Sequence, residues 1–201
     1  MVIYFTRIVM ICLLLAGCAK SDSGLQGNLG NASQNGKDGA SKSNIWPVNI
    51  WNIPQRKLSV TFYAPSLQRE RVIERKDRYY RLARHQRLTV SLNFAKPNCV
   101  NNQSAGAHIK CLLAKIRHNP HIKIDENTIS QLKHKDGQVL TYMTLIGTEN
   151  HKMKVINTHL VFERNGEWGD FHASMLEPNH REFLTMLKFS SWVSLTEKKS
   201  L

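Results

Sequence analysis

MKVINTHLVFERNGEWGDFHASM, residues 153–175, decides the fold. Residues 153–164 and 167–175 read as two strands on either side of Asn165-Gly166, residues that tolerate the positive φ angles a two-residue hairpin turn requires. With that turn, Arg164 faces Glu167, Leu160 faces Phe171, Thr158 faces Ala173 and Ile156 faces Met175. One face of the hairpin is then apolar and belongs in a core. The other face pairs Glu163 with Trp168, Val161 with Asp170, His159 with His172 and Asn157 with Ser174. Two imidazoles are therefore predicted to sit directly opposite each other.

Outward from the hairpin, residues 139–146 form a further strand rich in Val, Leu, Tyr, Thr and Ile, with a polar turn at 147–152. Pro178 and Asn179 open a helix with Phe183, Met186, Leu187 and Ser190 on one face. Upstream, residues 58–63 and 88–94 alternate as strands. Ile109, Leu112, Leu113 and Ile116 lie on one side of a helix that begins near Ser104 and ends before Pro120. Residues 68–81, containing RERVIERKDR, have too few apolar positions for a core helix and read as a solvated loop or exposed helix. The fold class is α+β, an antiparallel sheet with helices packed on it. A single domain spans 45–195, roughly 150 residues and enough for one core, followed by a tail at 196–201. The domain opens at IWPVNIW, residues 45–51, where Trp46 and Trp51 are expected to pack at a buried edge rather than form an exposed binding motif.

The N-terminus carries Arg7, an apolar run over 8–15 interrupted by Cys12, then Ala16 and Gly17 before Cys18. The run is too short to span a bilayer and fits an export signal over 1–17. Leu15-Ala16-Gly17-Cys18 resembles the lipobox of bacterial lipoproteins. The resemblance implies cleavage after Gly17, a diacylglyceryl thioether on Cys18 and acylation of the new terminus. Several acyl chains, at about 0.8 kcal/mol per buried methylene, exceed what stable anchoring needs. Ala19, rather than Asp, after the cysteine resembles the outer-membrane sorting pattern and implies an outer-membrane anchor facing the periplasm. From Cys18 to residue 44 the chain is Gly, Ser, Asn, Gln, Lys and Asp with few apolar residues, a flexible tether.

Cys12 leaves with the signal and Cys18 is consumed by lipid, so Cys99 and Cys111 remain. In an oxidising compartment they suggest one disulfide, worth about 3 kcal/mol, that staples a loop to the helix; two free thiols are the alternative. The chain has 28 Lys and Arg against 15 Asp and Glu, a net +13 that becomes +12 when Arg7 is removed. Such a balance favours encounter with anionic partners. Nucleic acid is not expected as a partner of an exported protein, and solubility alone is an equal alternative explanation of the charge.

The cross-strand pair His159 and His172 is the weak candidate for a metal site or a pH-sensitive repulsion. No third ligand is forced on it by the register, although Asp170 is a diagonal neighbour, so the expectation is no metal and two half-exposed side chains. His118 and His121 flank a helix-breaking Pro120 beside Arg117 and Lys123, which disfavour a cation. No nucleophile elbow, zinc-protease, phosphate-loop or paired-cysteine motif is present in the sequence, so no catalytic residue and no cofactor are assigned.

NGEWGDFHAS, residues 165–174, followed by a helix with Phe183, Leu184 and Leu187, resembles small exported lipoproteins with a PsbP or Mog1-like α/β/α sandwich. The resemblance spans 58–192, and the charged segment 68–81 departs from the short connection it implies. It implies a binding or assembly factor rather than an enzyme, and carries no functional residue over. The expected function is a tethered protein-binding module, an immunity or envelope-assembly factor contacting an envelope protein with an acidic surface. An anionic-ligand or lipid-binding lipoprotein is the alternative, and an apolar pocket between sheet and helix would be its sign. A metal or hydrolytic site at His159 and His172 is the third reading.

Overall fold

β-branched and aromatic residues at alternate positions give strands along most of the domain. The structure is a computed structural model, and it describes residues 46–75, 78–95, 104–148, 151–164 and 166–197. Among these, β1 (Val48–Ile53), β2 (Leu58–Tyr63), β3 (Gln68–Arg75), β4 (Arg78–His85) and β5 (Leu88–Ala95) precede helix α1 (Ala105–Arg117). There follow β6 (Ile122–His134), β7 (Gly137–Thr148), β8 (His151–Arg164), β9 (Glu167–Leu176), helix α2 (His180–Phe189) and the short β10 (Ser194–Glu197). Ser104 caps α1 by accepting a hydrogen bond from the Ala107 amide. Asn179 and Glu182 form a capping box on α2, which satisfies amides that the first helical turn leaves unpaired.

Seven strands form one antiparallel sheet in the order β3-β4-β5-β9-β8-β7-β6, and β1-β2-β10 form a second. The β8–β9 register matches the reading of the hairpin residue for residue, from Arg164 opposite Glu167 to Ile156 opposite Met175. Gly166 takes φ 74°, a left-handed value suited to its turn; Asn165 lies outside the described residues. The apolar face of the hairpin meets the small sheet and α2. Leu160, Phe162 and Phe171 pack there with Trp51, Val60, Phe62, Met186 and Phe189. Each such side chain, fully buried, stabilises the fold by about 1.5–3 kcal/mol. The opposite face receives α1 through Ile109 and Leu113 against Leu140, Tyr142, Val161 and Trp168.

The expected α/β/α sandwich is thereby corrected. α1 covers the β6–β7–β8 part of one face of the large sheet, but the other face is covered by a second sheet together with α2, so the molecule is richer in sheet. Of the segment 68–81, expected as loop or exposed helix, 68–75 are β3 and 78–81 begin β4, while 76–77 lie outside the described residues. The charges of β3 sit on an edge strand, where half of every side-chain set faces water and no apolar stripe is needed. β6 was not expected at all. It is the other edge of the sheet and is largely exposed. Trp51 is buried and Trp46 packs edge-on against Phe189, as edge packing requires. On α2 the inward residues are Met186 and Phe189, with Phe183 partly buried, while Leu187 faces outward. β10 runs to Glu197, past the expected start of the tail.

Candidate functional site

The strand registers place a continuous set of side chains on the α1 face of the large sheet. One row across the strands runs Arg71, Leu82, Ser91, His172, His159, Leu140. The row beside it runs Ile73, Tyr80, Asn93, Asp170, Val161. Flanking rows bring Arg75 opposite Arg78, and Arg84, Thr89, Ser174 and Asn157 into line. α1 lies over β6, β7 and β8. Among the described residues, no helix covers the β3–β4–β5 half of this face.

At the covered end, His159 and His172 meet as the register requires, with ring centroids 4.1 Å apart and planes 10° from parallel. Tyr142 stacks on the far side of His159 at 5.6 Å. His159 is 4% exposed, so the expected half-exposed side chain is corrected to a buried one. Its Nδ1 lies 2.9 Å from Asp170 Oδ1 and its Nε2 lies 3.0 Å from the Tyr142 hydroxyl. A carboxylate can only accept, so Nδ1–H donates to Asp170 and leaves Nε2 facing the tyrosine hydroxyl. Burial raises the Tyr142 pKa, so the phenol keeps its proton as a donor. His172 Nε2 stands 3.3 Å from Asn157 Oδ1, and Asn157 in turn donates to Thr144 Oγ1.

Electrostatics follow from this packing. Burial pushes the His172 pKa down, the neighbouring His159 adds to the shift, and Asp170 opposes it, leaving a value of about 3. For Asp170, burial acts upward, yet the hydrogen bond and charge interactions with His159, His172 and His108 outweigh it and hold the carboxyl below its usual range. His108 reaches this group from α1, stacks on Trp168 at 5.1 Å, and is shifted down chiefly by burial.

This constellation is poorly arranged for a metal. Imidazole lone pairs lie in the ring plane, and two nearly parallel rings direct them side by side rather than toward one point. Both nitrogens of His159 are also occupied. Among the described residues, no group of three His, Cys, Asp or Glu side chains is placed to hold an ion. His118 is spent on α1, its Nδ1 2.6 Å from the Ala114 carbonyl, and His121 is exposed.

The uncovered half of the face has a different character. Arg71, Arg75, Arg78 and Arg84 project from it around Ile73, Tyr80 and Leu82. Among the described residues, no carboxylate pairs with any of these four, whereas Arg56, Arg81, Arg87 and Arg117 each hold a glutamate. The acids of β3 lie on the other side: Glu70 pairs with Arg81, which stacks over Trp51, and Glu74 is opposite Tyr79. Two buried polar atoms of the floor, Arg84 Nε and Asn93 Oδ1, have no hydrogen-bond partner among the described residues. The segregation was missed because 68–81 was not read as strand. Its signal was the alternation of Arg71, Ile73 and Arg75 against Glu70, Val72 and Glu74.

Elsewhere, a groove of about 450 Å³ is lined by Arg56, Lys57, Phe94, Arg164, Glu167 and Glu197. It is bridged by the two-pronged Arg56–Glu167 pair, at 2.7 and 3.1 Å, and mixes charged side chains of both signs with the apolar Leu58 and Phe94. Cys111 is half-buried on α1 and is not free. Cys18 and Cys99 lie outside the described residues, and with them the lipid site and the expected Cys99–Cys111 pairing.

No family model matches the chain, and no curated protein matches it. Among solved structures it is similar to cyanobacterial PsbP (CyanoP) from Synechocystis sp. PCC 6803, with a TM-score of 0.45 and 10% identity over 79% of this chain and 98% of that one. It is also similar to LpqN, involved in cell envelope biogenesis of Mycobacterium tuberculosis, with a TM-score of 0.35 and 9% identity over 76% and 78%. A protein of unknown function from Pseudomonas aeruginosa matches with a TM-score of 0.34 and 7% identity over 64% and 82%. These likenesses concern the course of the chain alone.

Proposed function

We propose that this protein is a membrane-tethered protein-binding module that engages an acidic envelope protein through the arginine face of its large sheet, as an immunity or assembly factor. The observation that carries the reading is the segregation of charge: Arg71, Arg75, Arg78 and Arg84 share one uncovered face without carboxylate partners among the described residues. Arginine recognises carboxylates through two parallel donors and stacks on aromatic rings, as Arg78 does over Tyr80 at 5.8 Å, so it suits an interface better than a merely solubilising surface. Lipid on Cys18 would hold the module at the outer membrane, and the tether over 18–44 would let it search. At roughly 5–6 Å times the square root of its length, that tether gives a reach of about 30 Å. A Cys99–Cys111 disulfide would staple the approach to α1.

Capture of the tagged lipoprotein and of an Arg71→Glu, Arg75→Glu, Arg78→Glu variant from the envelope fraction, at low and moderate salt, tests this. One protein retained by the native chain, weakened by salt and lost from the variant, is the expected result. Recovery of lipid alone, equally by both chains, contradicts it and favours an anionic-lipid ligand.

A further inference from the structure

β3 is an edge of the seven-stranded sheet, and its free side is unpaired among the described residues. An open edge offers a row of backbone donors and acceptors to another extended chain. Charged side chains and bulges commonly guard such edges, and β3 carries both, but among its described side chains the signs are sorted by face: Arg71, Ile73 and Arg75 face one way, while Glu70, Val72 and Glu74 face the other. Val72 is 50% exposed although it is β-branched and apolar, and Ile73 is only half-buried on the opposite face. A strand laid along β3 would cover both. Side chains directly across an antiparallel pair lie about 5 Å apart, close enough for carboxylates to meet Arg71 and Arg75 and for an aliphatic side chain to meet Ile73. Arg78 and Arg84, one strand further in, extend the same positive field beneath the incoming residues.

We infer that the partner supplies an extended acidic segment that joins the sheet as an eighth strand on β3, with acids at alternate same-face positions either side of an aliphatic residue. The inference rests on the protein-binding reading and specifies its mode. Backbone pairing supplies affinity and the alternating side chains supply specificity. The irregular register between Gln68 and Arg71 limits the regular docking stretch to Arg71–Arg75.

The probe is a labelled synthetic peptide, Thr-Glu-Thr-Val-Thr-Glu-Thr, titrated against the detergent-solubilised full chain and followed by fluorescence anisotropy. Two further peptides carry N-methyl groups on alternate amides, one for each pairing register. Binding is expected, weakened roughly tenfold or more by Arg71→Glu with Arg75→Glu, and weakened comparably by N-methylation in one register only. Equal binding of all three peptides overturns strand addition while leaving an electrostatic contact at the arginine face. Absence of binding, or binding indifferent to the charge reversals, overturns the inference outright, and the envelope capture then decides the broader reading separately.

Discussion

Tyr142, His159 and Asp170 form a buried chain of donors and acceptors in which both ring nitrogens of His159 are satisfied. Leaving such an atom unpaired costs about 1–3 kcal/mol, so the network helps to fix the β7–β8–β9 register. His172 is the member with a pH cost. Its pKa lies at about 3 in the folded chain, against an ordinary 6.5. Above pH 6.5 the ring is neutral folded or unfolded; between about 6.5 and 3 only the unfolded chain takes the proton, so stability falls as pH falls through that window. The slope is at most about 1.4 kcal/mol per pH unit. His172→Phe keeps a flat ring on His159 and removes the titration. Urea unfolding at pH 7.5 and 5.0 should show the native chain losing stability relative to this variant. Parallel losses in the two proteins would show that His172 is not the group that pays for acidification.

The β8–β9 hairpin is legible at the level of single pairings because its apolar and polar sets alternate without a break and Asn165-Gly166 favours a two-residue turn, although a three-residue loop would have slipped the register. α1 was equally legible from Ser104 and the spacing of Ile109 and Leu113. β3 and β6 were not, since edge strands need no apolar stripe and their polar composition imitates loops. The second sheet was hidden for another reason. β10 has four residues, too few for any period to register, and its place beside β2 is decided by long-range packing. Within β9, Gly169 was read only as part of a motif. In the structure a side chain there would enter the Phe162 ring, which fills the space between β8 and β5 and contacts Phe94 edge-on at 5.4 Å. Gly169→Ala should therefore destabilise the domain by about 1–3 kcal/mol through overpacking, read as a lower denaturant midpoint. An unchanged midpoint would mean that Phe162 has room to retreat.

At the scale of the whole molecule, two sheets share one core, and among the described residues no helix covers the β3–β4–β5 half of the large sheet's outer face. The His159 stack lies toward the half that α1 covers, and the arginines without carboxylate partners among the described residues lie on the other half. Among the described residues, no helix is long and apolar enough to cross a membrane. The chain carries a net +13, and four of its arginines stand on one face without carboxylate partners among the described residues. The most direct measurement is photocrosslinking in the native envelope, with a photoreactive phenylalanine analogue in place of Tyr80 on the arginine face or of Ala114 on the exposed side of α1. A protein adduct formed from position 80, suppressed by added salt and absent from position 114, is the result expected. An adduct from position 114 alone, or only lipid adducts from position 80, would contradict the assignment of this face to an acidic protein partner.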